Sequence, residues 1–210
     1  GTKIKNGDYV QANPNIKLQF YDNSRMVISD TSNIKVYKFN TITQRYDYIP
    51  YVLNGVQNPV INIEFPDNNF LQATVNYHPV LTSGEHRFRY IALDNTGNFA
   101  DSVLNSVVVD NDLKIYDMAN YPNPMTTETN FMFKLSGELN PVSCKVKIYT
   151  VAGRLIKEIN APANVGYNNI HWDGKDNDGD YLANGTYLYK FIIQGNSQTE
   201  TSVQKIAILR

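Results

Sequence analysis

Apolar and polar residues alternate with a period of two along much of this chain. In IKLQFYD, Ile16, Leu18 and Phe20 share one face, and in VINIEF so do Ile61, Ile63 and Phe65. TNFMFKL groups Phe131, Phe133 and Leu135. CKVKIYTV turns Cys144, Val146 and Ile148 one way and Lys145 and Lys147 the other. Successive side chains on a strand point to opposite faces, so these runs predict antiparallel sheets with one dry face and one wet face. HRFRYIAL and TYLYKFII are richer in apolar groups on both faces, which predicts central strands.

Turn-forming residues separate the runs: NPN, NGVQNP, PDNN, TSGE, NTGN, YPNP, VAGR, DNDGD and ANG. Short strands with frequent turn signals predict a sandwich. No stretch reads as a long amphipathic helix, and SRMVISD has room only for a short turn. In VVVDNDLKIYDMANYPNP a strand ends near Val109, a polar DND follows, and two prolines then restrict the backbone. The split falls near Asp110–Lys114. The expected fold is all-β, two Ig-like antiparallel β-sandwich domains in tandem, spanning residues 1–112 and 113–210.

Composition narrows the function. Net charge is -1 with 19% charged residues, which supplies no field for nucleic acid or an acidic membrane surface. Aromatics reach 12%, led by 15 tyrosines, a composition that suits half-buried strands rather than disorder. No apolar run approaches the ~20 residues that span a bilayer as a helix. The residues after Gly1 already read as the approach to a strand. The chain is therefore expected to be a fragment of a longer protein that carries its targeting signal upstream. The single cysteine, Cys144, excludes an internal disulfide.

The most suggestive stretch for chemistry is HWDGKDNDGDYLANGTY, His171–Tyr187. An EF-hand needs oxygen ligands at its first, third and fifth positions, Gly at the sixth and Glu at the twelfth. Placing Gly179 at the sixth puts Asp176 and Asp178 at the third and fifth. Glycines, Gly174 and Gly185, then occupy the first and twelfth, so the EF-hand register fails. A looser calcium site from Asp176, Asp178 and Asp180 stays open. So does a plain turn in which Asp and Asn accept backbone N–H groups and Gly179 takes positive φ in a hairpin connection. No other cofactor is expected.

Cys144 lies mid-strand on the inward face, where a thiol is normally inert, and no histidine is tied to it. His78, His86 and His171 are too scattered for a metal cluster. The chain has no phosphate loop, no G-x-S-x-G elbow and no H-E-x-x-H. Acid pairs such as Asp94 with Asp101 flank turns. Tyr181, Tyr187 and Tyr189 could line a sugar-binding face, though strand tyrosines more often pack on cross-strand neighbours. NGT at Asn184–Thr186 matches a glycosylation acceptor. The residues alone thus give two sandwiches with no assembled catalytic site, and a carbohydrate- or protein-binding surface adhesion module as the alternative function.

The second half has a further pattern. YPNP is followed by TNFMFKL, VKIYTVAGRLIKEI, GYNNIHWDGKDNDGDYLANGTYLYKF and SVQKIAILR. This ordered set, over nearly all of residues 118–210, resembles the C-terminal sorting domain of type IX secretion cargo in Gram-negative bacteria. It is also similar to the Ig-like domain of flagellar hook-capping proteins. Pro122, Asn123 and Pro124 match the opening turn, and Gly153 with Arg154 the hairpin. Trp172, Asp173 and Gly174 match the WDG corner, and Gly179 the small turn after it. Gly185 and Tyr187 match the start of the penultimate strand. Lys205, Ile206 and Ile208 match the terminal strand, and Arg210 stands where many members have lysine. The resemblance implies an exported protein, periplasmic in transit and then at the outer-membrane surface or outside the cell. Its implied partners are the outer-membrane translocon, the sortase machinery and an upstream catalytic or passenger domain. DTSNIKVY and SGEHRFRYIALDNTGNFADS resemble the Ig-like module of gingipain-type cysteine peptidases and of the system's sortase-like subunit. Nothing here matches that family's catalytic Cys and His, which would lie upstream.

Overall fold

In a computed structural model, residues 3–21, 31–65, 72–93, 103–197 and 199–210 are described. The SRMVISD stretch and the pair Asp94 and Asp101 lie outside them. The alternating runs form strands. In chain order these begin with β1 (Asp8–Tyr9), β2 (Ile16–Tyr21), β3 (Ile34–Asn40), β4 (Arg45–Ile49), β5 (Val52–Leu53) and β6 (Val56–Gln57). Then come β7 (Ile61–Glu64), β8 (Gln72–Tyr77), β9 (Gly84–Ala92), β10 (Val103–Val109), β11 (Lys114–Tyr121) and β12 (Thr129–Ser136). The last are β13 (Ser143–Thr150), β14 (Leu155–Ala161), β15 (Gly166–Trp172), β16 (Gly185–Gln194) and β17 (Thr199–Ile208). Among the described residues the helical content is one 3-10 turn, Thr31–Asn33. The fold is all-β, with tandem β-sandwich units.

The chain divides into two compact units, Lys3–Asp8 with Ala12–Val108, and Tyr9–Gln11 with Val109–Arg210. In the N-terminal unit one sheet runs β10-β9-β3-β4, so β9, which carries HRFRYIA, is internal. A second sheet has the order β2-β8-β7, and β5 pairs with β6. Ile34, Val36, Phe88 and Tyr90 of the first sheet and Ile61, Ala73, Val75 and Tyr77 of the second are buried. Tyr77 meets Phe88 edge-on at 5.9 Å.

The C-terminal unit stacks the sheet β11-β12-β15 on the sheet β14-β13-β16-β17. Phe131, Phe133 and Leu135 of β12 share a core with Val146 and Ile148 of β13 and Tyr189, Phe191 and Ile193 of β16. Phe133 sits 4.5 Å from Phe191, and Phe131 4.7 Å from Tyr189. Each such side chain taken out of water contributes about 1.5–3 kcal/mol. On the wet face of β13, Lys145 and Lys147 bracket Glu158 at 2.9 and 3.0 Å.

Beyond the split, LKIYDMANY folds as β11 on β12, with a register shift between Tyr116 and Ala119 that hides the alternation. One local expectation needs correction: the aspartate stretch is not a hairpin connection between paired strands, since β15 and β16 belong to different sheets. The chain crosses the sandwich there, with a single bridge, Lys175 to Tyr181, inside the crossing.

Candidate functional site

The last strand organises this site. β17 pairs along its length with β16 and lies at the edge of its sheet. Ile206 and Ile208 point into the core, and Lys205 is exposed. On the outer side, Ala207 N–H donates to Asn123 Oδ1 at 3.0 Å, and Met125 N–H donates to Ala207 O at 2.8 Å. Leu209 N–H donates to Met125 O at 2.9 Å, and Asn123 Nδ2 reaches Lys205 O at 3.4 Å. The backbone groups of Lys205, Ala207 and Leu209 therefore face away from β16, and strand alternation turns those of Thr201 and Val203 the same way. The outward groups of Thr201 and Val203 have no hydrogen-bond partner among the described residues. The edge is thus covered in its last third and open before it.

The opening turn is built to do this covering. Both proline peptide bonds, Tyr121–Pro122 and Asn123–Pro124, are cis. Thr129 Oγ1 donates to Pro122 O at 2.9 Å, and Asn120 Nδ2 contacts Thr129 Oγ1 at 3.3 Å. Asn123 Nδ2 also donates to Asn120 Oδ1 at 3.2 Å. Asn120 and Thr129 are buried, so these bonds satisfy groups whose isolation would cost about 1–3 kcal/mol each.

At the end of β17 a clasp forms around Arg210. Its Nε donates to Thr126 O at 2.7 Å, its Nη2 to Gly174 O at 3.3 Å and its Nη1 to Leu182 O. Its guanidinium lies 4.5 Å above the Tyr181 ring, and Lys175 Nζ lies 5.0 Å from that ring. Asn184 holds the same residue by its backbone, accepting from Arg210 N at 2.8 Å and donating to Arg210 O at 3.2 Å. A planar fork suits three carbonyls in a way a lysine ammonium does not.

The WDG corner supplies one of those carbonyls. Trp172, on β15, is buried and stacks on Phe131 at 6.0 Å. Its Nε1–H donates to Lys175 O at 2.9 Å, and Asp173 Oδ1 accepts from Lys175 N at 3.2 Å. Gly174 has φ +72°, and a Cβ there would stand 2.6 Å from Thr127 O and 2.7 Å from Met125 Cε. Only glycine lets the corner lie against the opening turn.

Of the residues singled out from sequence, Pro122, Asn123, Pro124, Trp172, Asp173, Gly174, Lys205, Ile206, Ile208 and Arg210 thus gather on or around β17. Gly185 starts β16 opposite Ile208, and the Tyr187 hydroxyl donates to Ala183 O at 2.9 Å. Gly153 and Arg154 lie elsewhere, in the turn joining β13 to β14. Asn120, Thr126, Thr129 and Leu182 were not read from sequence. The two carbonyls carry no side-chain signal at all.

Other candidates disperse. Asp176 Oδ1 accepts the backbone N–H of Asp178 at 3.0 Å and of Asp180 at 2.9 Å. Asp176 O accepts from Lys157 Nζ at 2.8 Å, and Gly179 has φ +93°. No group of three or more His, Cys, Asp or Glu residues is placed to hold a metal among the described residues. The three tyrosines do not share a sugar-binding face. Tyr189 is in the core, where burial pushes its phenol up to about 12, and Tyr181 is flanked by two cations. Burial likewise pushes the Cys144 thiol up to about 11, so almost none is thiolate at neutral pH. Asn184, read as a glycan acceptor, uses its amide to hold Arg210.

Residues 123–198 match the FlgD Ig-like domain. No curated protein matches the chain in sequence. Among solved structures, dimeric latent PorU from Porphyromonas gingivalis aligns with 100% of this chain and 19% of its own, at 19% identity and a TM-score of 0.43. PorZ, a surface component of the type-IX secretion system of the same organism, aligns with 44% of this chain and 11% of its own, at 20% identity and a TM-score of 0.32. Fibronectin(III)-like modules of Clostridium thermocellum CbhA align over 98% of this chain and 90% of theirs, at 12% identity and a TM-score of 0.33. The chain spans about a fifth of the length of PorU. Among the described residues no helix is long and apolar enough to cross a membrane.

Proposed function

We propose that the C-terminal unit is a type IX secretion sorting domain and the N-terminal unit an Ig-like spacer, together forming the non-catalytic C-terminal part of a larger exported protein such as a gingipain-type peptidase. One observation carries the reading. The residues by which the second half resembles such domains are scattered from Pro122 to Arg210, yet most serve one purpose, to fix β17 at a sheet edge. The match of residues 123–198 to the FlgD Ig-like domain supports the same unit. In this reading the outer-membrane translocon engages the open part of that edge, adding a strand to it or gripping its side chains.

The test is a fusion of residues 114–210 to a periplasmic reporter in a host with a type IX system. The intact fusion reaches the cell surface, and deletion of Thr201–Arg210 stops it. Deletion can also unfold the unit, so Val203→Pro is the sharper variant. It removes an outward N–H while leaving the β16 ladder intact. A folded Val203→Pro fusion that is still exported normally removes the edge from the mechanism.

A further inference from the structure

The N-terminal unit contains a cavity of about 630 Å³ that is independent of the sorting reading. That size falls within the range of about 300–1,000 Å³ typical of small-molecule sites. The hairpin of β3 and β4 forms one wall, the segment Thr82–Arg87 forms another, and Tyr77 of β8 also lines it.

Most charges around this cavity are already paired. Asn40 Nδ2 donates to Asp47 Oδ2 at 2.7 Å, and Arg87 Nε lies 3.3 Å from Glu85 Oε2. The Arg87 guanidinium also covers the Phe39 ring at 5.2 Å. His86 Nε2–H donates to Thr82 O at 2.7 Å. Two further groups line it. Lys38 is half-buried and faces Asp47 in register, yet no ion pair joins it to any carboxylate among the described residues. Burial accordingly holds its ammonium below the usual lysine range. Tyr77 is 4% exposed and also lines the cavity. Burial pushes that phenol up to about 12, so it remains a donor at neutral pH.

A half-buried ammonium without a counter-charge is costly to keep on a cavity wall, and Tyr77 lines the same cavity. A carboxylate supplies that counter-charge and can also accept from the Tyr77 hydroxyl. The rest of the lining narrows what carries it. Thr41 and Thr82 offer short hydroxyl groups, and Tyr48 and Ile49 offer apolar faces. That mixture suits a ring with hydroxyls on its rim and C–H groups on its face. We propose that this cavity binds an acidic sugar, its carboxylate accepting from Lys38 and Tyr77.

The test is an NMR titration of the full chain with galacturonate and glucuronate, against glucose and N-acetylglutamate. Hexuronate is expected to shift amides in 38–49 and 82–87, with glucose and N-acetylglutamate at least tenfold weaker. Lys38→Met should erase the preference over glucose. Tyr77→Phe keeps the ring in the core and should weaken hexuronate several-fold, so it decides the matter if Lys38→Met fails to fold. The proposal is overturned by shifts absent at tens of millimolar hexuronate, by glucose binding equally, or by N-acetylglutamate binding better, which would make the site one for acidic peptides.

Discussion

Gly174→Ala separates contact from conformation in the corner. Two costs apply. An alanine at φ +72° is left-handed and costs about 1–2 kcal/mol. Its Cβ also enters space held by Thr127 O at 2.6 Å, Met125 Cε at 2.7 Å and Arg210 Nη2 at 3.0 Å. The nearest atom is backbone and cannot swing aside, so overpacking adds about 1–3 kcal/mol. The sum is about 2–5 kcal/mol. At about 4–8 °C per kcal/mol for a unit of this size, the melting temperature falls by at least about 8 °C. Gly179→Ala is the control, since φ is +93° there but nothing lies within 4 Å of the added Cβ. It should show the conformational cost alone. The chain has one tryptophan, Trp172, buried in the C-terminal unit. Its fluorescence in urea therefore reports this unit and ignores the other. Equal midpoints for the two variants would refute the packing argument at Gly174.

Other outcomes follow from the same contacts. Arg210→Ala strips three carbonyls of their donor and should destabilise the C-terminal unit by about 1–2 kcal/mol, with Arg210→Lys recovering less than half, both read by urea titration. Native Cys144 should resist thiol labelling at pH 8 and react only after unfolding; rapid native labelling would contradict its burial. Lys145 and then Lys147 hold the Glu158 carboxyl below its usual value, so the pair stabilises above the ordinary carboxylate range and loses that effect as pH falls through the folded value. The gap between the parent chain and Glu158→Gln should accordingly fade from about pH 6 to below about pH 4. A gap that persists in acid would show that Glu158 acts by packing. Calcium should leave the melting temperature unchanged, because Asp176 is already committed to its own turn; a rise would revive the aspartates as ligands.

Where burial imposes a strict alternation, the sequence is readable: β12 and β13 could be marked out residue by residue. β11 could not, because the shift after Tyr116 puts Ile115 and Met118, three apart, against the same core. The turn between β3 and β4 was also silent. It has no Gly or Pro and is held by Asn40 Oδ1, which accepts from Ile42 N at 3.0 Å and Thr43 N at 3.1 Å. The clasp was legible only in part. Its side chains stand out as residue types, but their targets are carbonyls, which every residue has. The cavity at Lys38 was invisible for a related reason, since a missing counter-charge leaves no mark on a sequence.

The half-covered edge of β17 also has a polarity. A free edge is a template for any extended chain, including a second copy, and proteins normally blunt it. Here Asn123 and Met125 close the final residues, so a strand added alongside meets a stop at Lys205. Six residues, Thr199–Gln204, stay available, room for a strand of about 20 Å. An incoming segment is thereby fixed in length and in register against β17 before any of its side chains is read.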